Sequence, residues 1–141
     1  MYDRILLPTD GSRAAESAVS HAVSHAERYD AELYVLHVVD ETETTSIVGH
    51  GDERQQAVEA RVEDSMSSIV TEASQRGVSV TDDVEVGTPH RTILSYADER
   101  DIDLVVMSTH GRSGVDRVVM GSVTERVIRT GDVPVVAVQR E

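Results

Sequence analysis

The sequence predicts a single-domain α/β fold across residues 1–141: a doubly wound, five-stranded parallel sheet with helices on both faces. Three observations predict it. Short apolar runs alternate along the chain with longer segments of helical period, in the order β-α-β-α-β-α-β-α-β. The runs Leu33–Val39 and Leu104–Met107 are apolar almost throughout, as parallel strands covered on both faces must be. A chain of 141 residues is long enough for one full core and shows no linker or internal repeat.

Each element has its own signal. Ile5-Leu6-Leu7 reads as a short buried strand ended by Pro8-Thr9-Asp10-Gly11. Ser12 is a candidate N-cap, and Ala15, Ala18, Val19, Ala22 and Ala26 mark one helical face. Leu33–Val39 is the second strand, and residues 40–52 read as a polar loop. Val58, Val62, Met66, Ile69, Val70 and Ala73 define a long amphipathic helix stopped by Gly77. Val78–Val86 alternates with polar residues as a third strand. Thr88 as N-cap with Pro89 in the first helical position starts the next helix, whose inner face is Ile93, Leu94 and Ala97. Leu104–Met107 is the fourth strand, Ser122–Thr130 the fourth helix and Pro134–Val138 the last strand. Pro134 cannot donate a ladder hydrogen bond and suits a strand start or edge.

Composition removes several function classes. There is no cysteine, so disulfides, thiol catalysis and cysteine–zinc sites are excluded. No apolar stretch approaches membrane-spanning length, and Met1-Tyr2-Asp3-Arg4 runs directly into a strand, leaving no room for a signal peptide. A cytoplasmic location is the expectation. Asp and Glu number 26 against 13 basic residues, all arginine, for a net charge of −13. Such a chain repels nucleic acid and anionic membranes, so neither is expected as a partner. The acidic surface, the missing lysine, Phe and Trp, and the small Val/Ala apolar set point to adaptation to a high-salt cytoplasm. The plainer reading is an ordinary acidic protein.

Ser108-Thr109-His110-Gly111-Arg112-Ser113-Gly114, followed by Met120-Gly121-Ser122-Val123-Thr124-Glu125, carries the most chemistry. Ser122 with Glu125 three residues on has capping-box spacing. A strand, a glycine-bearing loop and a helix N-terminus together form an anion cradle, because glycine admits close approach and free N–H groups point at the anion. A loop that only turns the chain is the alternative. The Gly-Lys-[Ser/Thr] ending of a Walker A loop is missing, and the position is too late for a Rossmann fingerprint. In such folds ligands bind beyond the carboxyl ends of the strands where connections diverge. If the first strand lies beside the fourth, Asp10-Gly11 and Ser108–Gly114 share one crevice.

The chain resembles the universal stress proteins over essentially its whole length. The resemblance rests on Ile5-Leu6-Leu7-Pro8-Thr9-Asp10-Gly11-Ser12, Leu36-His37-Val38-Val39-Asp40, Val86-Gly87-Thr88-Pro89 and the segment from Met107 to Glu125. It implies the strand order 3-2-1-4-5. The ATP-binding branch of that family carries G-x2-G-x9-G-[S/T]; here Gly111, nine residues, then Gly121-Ser122 match, and Ser108 replaces the first glycine. The resemblance implies ATP as ligand, with Mg²⁺ held mainly by the phosphates. It places Asp10 at the ribose hydroxyls, Pro8 and Thr9 beside adenine, and the Val38 backbone at the adenine edge. Ser108, Gly111, Arg112, Gly121, Ser122 and Val123 fall around the phosphates. It also implies a homodimer through Val133–Val138. Two roles have independent physical support: a carboxylate suits a sugar diol and is wrong for a phosphate, and a helix N-terminus suits the phosphate end.

Other residues admit two readings. Asp10 can be a turn or cap residue. Arg112 and Arg117 are countercharges for phosphate or solvated loop arginines, with Arg112 the better placed. His110 is a phosphate donor or loop packing. His21 and His25 have i,i+4 metal spacing but no evident third ligand. His37 reads as a hydrogen-bonded core histidine. Met107 and Met120 border the loop as apolar packing around adenine or core.

The leading functional expectation is an ATP-binding stress-response or regulatory protein with little or no catalysis, at most slow ATP hydrolysis. No nucleophile–base pair appears, and no lysine can play the phosphate role familiar from kinases. The competing expectation is a homodimeric interaction module that no longer binds nucleotide, favoured by Ser108. A response-regulator receiver fails because no acidic pair follows the first strand, and an ATP-hydrolysing transferase is more distant still. The high-salt reading predicts greater resistance to urea in molar KCl than in its absence; equal urea midpoints in the two solutions would contradict it.

Overall fold

A computed structural model describes residues 2–10, 16–40, 52–109 and 117–139. Strands β1 (Arg4–Thr9), β2 (Glu32–Asp40), β3 (Val80–Gly87), β4 (Leu104–Ser108) and β5 (Val135–Val138) form one sheet in the order β3-β2-β1-β4-β5. All four pairings are parallel. Helices α1 (Glu16–Tyr29), α2 (Asp52–Gln75), α3 (Pro89–Glu99) and α4 (Arg117–Thr130) connect them.

The sheet divides the core in two. Ile5, Leu7, Leu33, Val35, Leu104 and Val106 face Ala18, Ala22, Val23 and Ala26 of α1 and Met66, Ile69 and Ala73 of α2. Leu6, Leu36, Val105 and Met107 face Ile93, Tyr96 and Ala97 of α3 and Val123 and Val127 of α4. Successive strand residues thus serve opposite layers. The expected inner faces of α1 and α3 are confirmed where described; Ser12, Ala15 and most of residues 40–52 lie outside the described residues, and so do the side chains of Val58 and Val62.

Three helices end the same way. After α2, Gly77 has φ +75°, its N–H donates to the Ser74 carbonyl, and the Val78 N–H donates to the Ala73 carbonyl. This is a Schellman cap. After α1 and α3 the left-handed position is taken by Asp30 and Asp101, and Ala31 and Ile102 donate back to the carbonyls of Ala26 and Ala97. Aspartate tolerates that conformation better than most residues. The signal at Gly77 was legible in the sequence; the two aspartates were not, because aspartate is common in any turn.

Several boundaries differ from the sequence expectation. β1 continues through Pro8 and Thr9, which pair with Leu36 and His37. β3 begins at Val80, because the cap after α2 uses Val78. α4 starts at Arg117, so Ser122 lies inside the helix and is no N-cap. Glu125 does not reach back to a cap: it pairs forward, 3.0 Å from Arg129 Nη1. The Ser-x-x-Glu spacing is equally a pair on one helix face. Thr88 and Pro89 do start α3, although the Thr88 side chain makes no capping bond.

Edge strand β3 is fixed to α3 by a polar cluster. Tyr96 is 1% exposed, and its hydroxyl donates to Asp83 Oδ2 at 2.5 Å. The Arg100 guanidinium lies 3.7 Å above the Tyr96 ring, a cation–π arrangement, with Nη2 3.9 Å from the same carboxylate oxygen. The Tyr34 ring meets Tyr96 edge-on at 6.4 Å. Burial, then the Asp83 hydrogen bond and charge, push the Tyr96 hydroxyl above its ordinary value of 10.0. A raised value means the folded chain holds this proton more tightly than the unfolded chain. The resulting stability is complete below pH 10 and is lost as pH rises beyond it. Tyr96→Phe should cost about 1.5 kcal/mol at neutral pH, measured by urea unfolding. The difference from wild type should shrink above pH 10; a constant difference across that range would refute this account.

Candidate functional site

The site begins with backbone direction. Glu32 N–H donates to the Asp3 carbonyl and Asp103 N–H to the Arg4 carbonyl. Alternation along β1 then turns the backbone groups of Arg4, Leu6 and Pro8 toward β4. Pro8 has no N–H to give. β1 and β4 pair only at Ile5↔Leu104 and Leu6↔Val105 among the described residues, while β1 and β2 stay paired as far as Thr9↔His37. The sheet therefore opens between β1 and β4 at its carboxyl end. This is also where the connections diverge, β1 leading through α1 to β2 and β4 through α4 to β5.

Residues from three strand ends lie at this end of the sheet. Pro8 and Thr9 are buried at the end of β1, and Asp10 follows, half-buried. Val38 is half-buried near the end of β2 and packs against the α3/α4 layer. Ser108, 1% exposed, ends β4. The odd residues of β4 face β5, since Val105 N–H donates to the Pro134 carbonyl and Thr109 N–H to the Val138 carbonyl. The Ser108 carbonyl thus lies on the β1 side, and Thr124 Oγ1 of α4 donates to it at 2.8 Å. That buried bond fixes α4 to the end of β4.

The expected site residues separate into groups. Pro8, Thr9, Asp10, Val38 and Ser108 come together at the carboxyl end. Met107 and Val123 are buried in the α3/α4 layer, where their side chains belong to the core. Ser122 is half-buried inside α4, and the Gly121 backbone lies in the same helix. The N–H groups without an intrahelical acceptor are those of the first turn, from Arg117 to Met120, earlier than the Ser122 start implied. His110, Gly111 and Arg112 lie outside the described residues.

Sequence reasoning missed the role of Thr124, whose one available signal was a hydroxyl directly beside the buried face of Val123 and Val127. Of the other candidates, His37 is buried in β2 opposite Thr9. His25 Nδ1 lies 2.7 Å from the His21 carbonyl oxygen, so that nitrogen is engaged within the helix. His90, in the first turn of α3, is shifted down by burial first and then by Arg126, Arg91 and Arg129.

A doubly wound parallel sheet opened at its switch point, with a carboxylate beside it, defines an α/β protein whose candidate site is the crevice at the carboxyl ends of the strands. The universal stress protein family model matches residues 1–139, and the chain belongs to that family. It is similar to universal stress protein MJ0577 of Methanocaldococcus jannaschii, 31% identical over 157 residues, covering 100% of this chain and 97% of that protein. The solved MJ0577 structure superimposes with a TM-score of 0.84 at 34% identity, covering 100% of this chain and 98% of the other. Two more distant structures share the fold. One is a universal stress protein in complex with cAMP, at 23% identity and TM-score 0.73, covering 98% and 97% of the two chains. The other, from Archaeoglobus fulgidus in complex with dAMP, has 21% identity and TM-score 0.71, covering 96% of this chain and 97% of the other.

Proposed function

We propose that the opening between β1 and β4 binds an adenine nucleotide, ATP with Mg²⁺, in a cytoplasmic stress-response or regulatory protein with little or no catalysis. The observation that carries this reading is the parting of β1 from β4 at Pro8, with Asp10 and Ser108 at its two sides. The cAMP and dAMP complexes of related folds support an adenine nucleotide. The residues present fit such a ligand. The Asp10 carboxylate accepts from ribose hydroxyls, and the Val38 backbone and the Pro8–Thr9 edge take the base. Ser108, Ser122 and the first turn of α4 take the phosphate side, together with His110, Gly111, Arg112 and Gly121. Bound Mg²⁺ would add to arginine in neutralising phosphate charge in a chain that is strongly acidic and has no lysine. A second reading, an interaction module without nucleotide, is favoured by the burial of Ser108 where the family motif has glycine. Stoichiometric nucleotide in gently purified protein decides between the two.

The same reading includes a homodimer through Val133–Val138. The sheet has two edges. β3 carries Asp82, Asp83 and Glu85, which discourage pairing with another strand, whereas Val135-Val136-Ala137-Val138 of β5 carries no charge. A two-fold contact would cover that edge. Screening of two chains of net charge −13 favours the dimer at high salt.

Asp10→Asn should weaken ATP binding about tenfold, near 1.4 kcal/mol, by calorimetry. The loss should be smaller for deoxy-ATP if the carboxylate accepts from the 2′-hydroxyl. An unchanged affinity for both would remove Asp10 from the site. For the dimer, alternation turns the Ala137 N–H toward the open edge, because Pro134 and Val138 face β4. Ala137→Pro should therefore give monomers by light scattering in molar KCl while leaving the β4 ladder intact. Val136→Asp should also dissociate the dimer but lower stability as well, since Val136 packs against the α1/α2 layer. A dimeric, folded Ala137→Pro protein would place the interface elsewhere.

A further inference from the structure

At the opposite, amino end of the sheet, α3 and α4 finish side by side and leave a groove of about 500 Å³. Its floor is apolar: Leu94 and Val133 are half-buried, and Ile102 is buried beneath them. Its rim is acidic, with Asp98, Asp101, Asp103 and Asp132. Two of these have local duties. Asp103 Oδ2 accepts from the N–H groups of Asp3 and Arg4 at 2.9 Å each, and Asp101 lies 3.8 Å from Arg4 Nη1. The Asp98 and Asp132 carboxylates have no ion-pair partner among the described residues. The carboxyl ends of α3 and α4 add partial negative charge to the same space.

Charge complementarity and the apolar floor together restrict the occupant. An anionic ligand is repelled, and a purely apolar one would desolvate Asp98 and Asp132 without compensation. A bare metal ion makes no use of Leu94, Ile102 and Val133. A second copy of the chain brings another net charge of −13 toward the rim. Arginine and lysine side chains combine an aliphatic stem with a terminal cation, matching both surfaces at once.

We propose that this groove docks a basic, amphipathic segment of a partner protein, with an arginine or lysine stem laid along Leu94, Ile102 and Val133 and its cation at Asp98 and Asp132. The groove lies at the other end of the sheet from the Asp10–Ser108 opening, so this docking does not rest on nucleotide binding.

The test uses the full chain and a fluorescent peptide of alternating arginine and leucine, titrated by anisotropy at low and moderate salt. A peptide with glutamate for arginine is the control. Binding of the arginine peptide should weaken at least about tenfold in the double variant Asp98→Asn/Asp132→Asn. The double variant Glu63→Gln/Asp64→Asn, with the same charge change on the exposed face of α2, should stay within about twofold. Amide resonances of Leu94, Asp98, Gly131 and Val133 should shift on titration. Equal weakening in both double variants would mean non-specific attraction and overturn the proposal. So would free arginine amide competing as well as the peptide, which would mean a small-cation site. A change in the protein's own mass in the Asp98→Asn/Asp132→Asn variant, with peptide affinity unchanged, would assign the groove to self-association and overturn it too.

Discussion

Pro8 has no N–H to give β4, yet it sits in the central strand of the sheet, where a missing donor would ordinarily cost a ladder hydrogen bond. The rest of the molecule is arranged around that gap. β2 holds β1 as far as Thr9, so the strand continues to its carboxyl end while β4 leaves it after Leu6. The Ser108 carbonyl is taken instead by Thr124, and this bond ties α4 to the strand it follows. An opening at the switch point and a fixed helix behind it arise from the same interruption. Asp10, one residue beyond β1, is thereby presented beside the opening and not along a closed strand pair.

The two ends of the sheet have different chemistry because different parts of the helices reach them. Helices in this fold run from the carboxyl end of the sheet back to its amino end. Their positive ends therefore face the carboxyl end of the sheet, and the negative ends of α3 and α4 finish at Asp98 and Asp132. The first arrangement suits phosphate and the second suits a cation. The net charge of −13 strengthens the second field and opposes the first. The overall field therefore gives no help to an anion at the carboxyl end, where only local N–H groups, arginine or a metal ion would attract it.

The edges of the sheet are treated as differently as its ends. β3 carries Asp82, Asp83 and Glu85 beside Val84 and Val86, which are 52% and 58% exposed, and it is braced from one side by the Tyr96–Asp83–Arg100 cluster. β5 carries no charge, and no strand pairs with its outer side among the described residues. A buried tyrosine is tolerated under β3 because its hydroxyl has the Asp83 carboxylate and its ring has the Arg100 guanidinium.

By itself the sequence determined the alternation of strands and helices, the parallel sheet and the inner faces of the helices. These are local periodicities, and burial on one or both faces writes them directly into the order of apolar residues. It also determined the family, because the motifs from Ile5 to Ser12 and from Met107 to Glu125 stand at fixed spacing. The tertiary structure decided what depends on neighbours distant in sequence. Whether Pro8 ends a strand or only faces the wrong neighbour depends on β2 and β4 together. Whether Ser-x-x-Glu caps a helix or lies within it depends on how far α4 extends before Gly121. That Thr124 would bond Ser108, or Asp83 would meet Tyr96, is a matter of which residues the sheet order brings together. Spacing along the chain carries no trace of it.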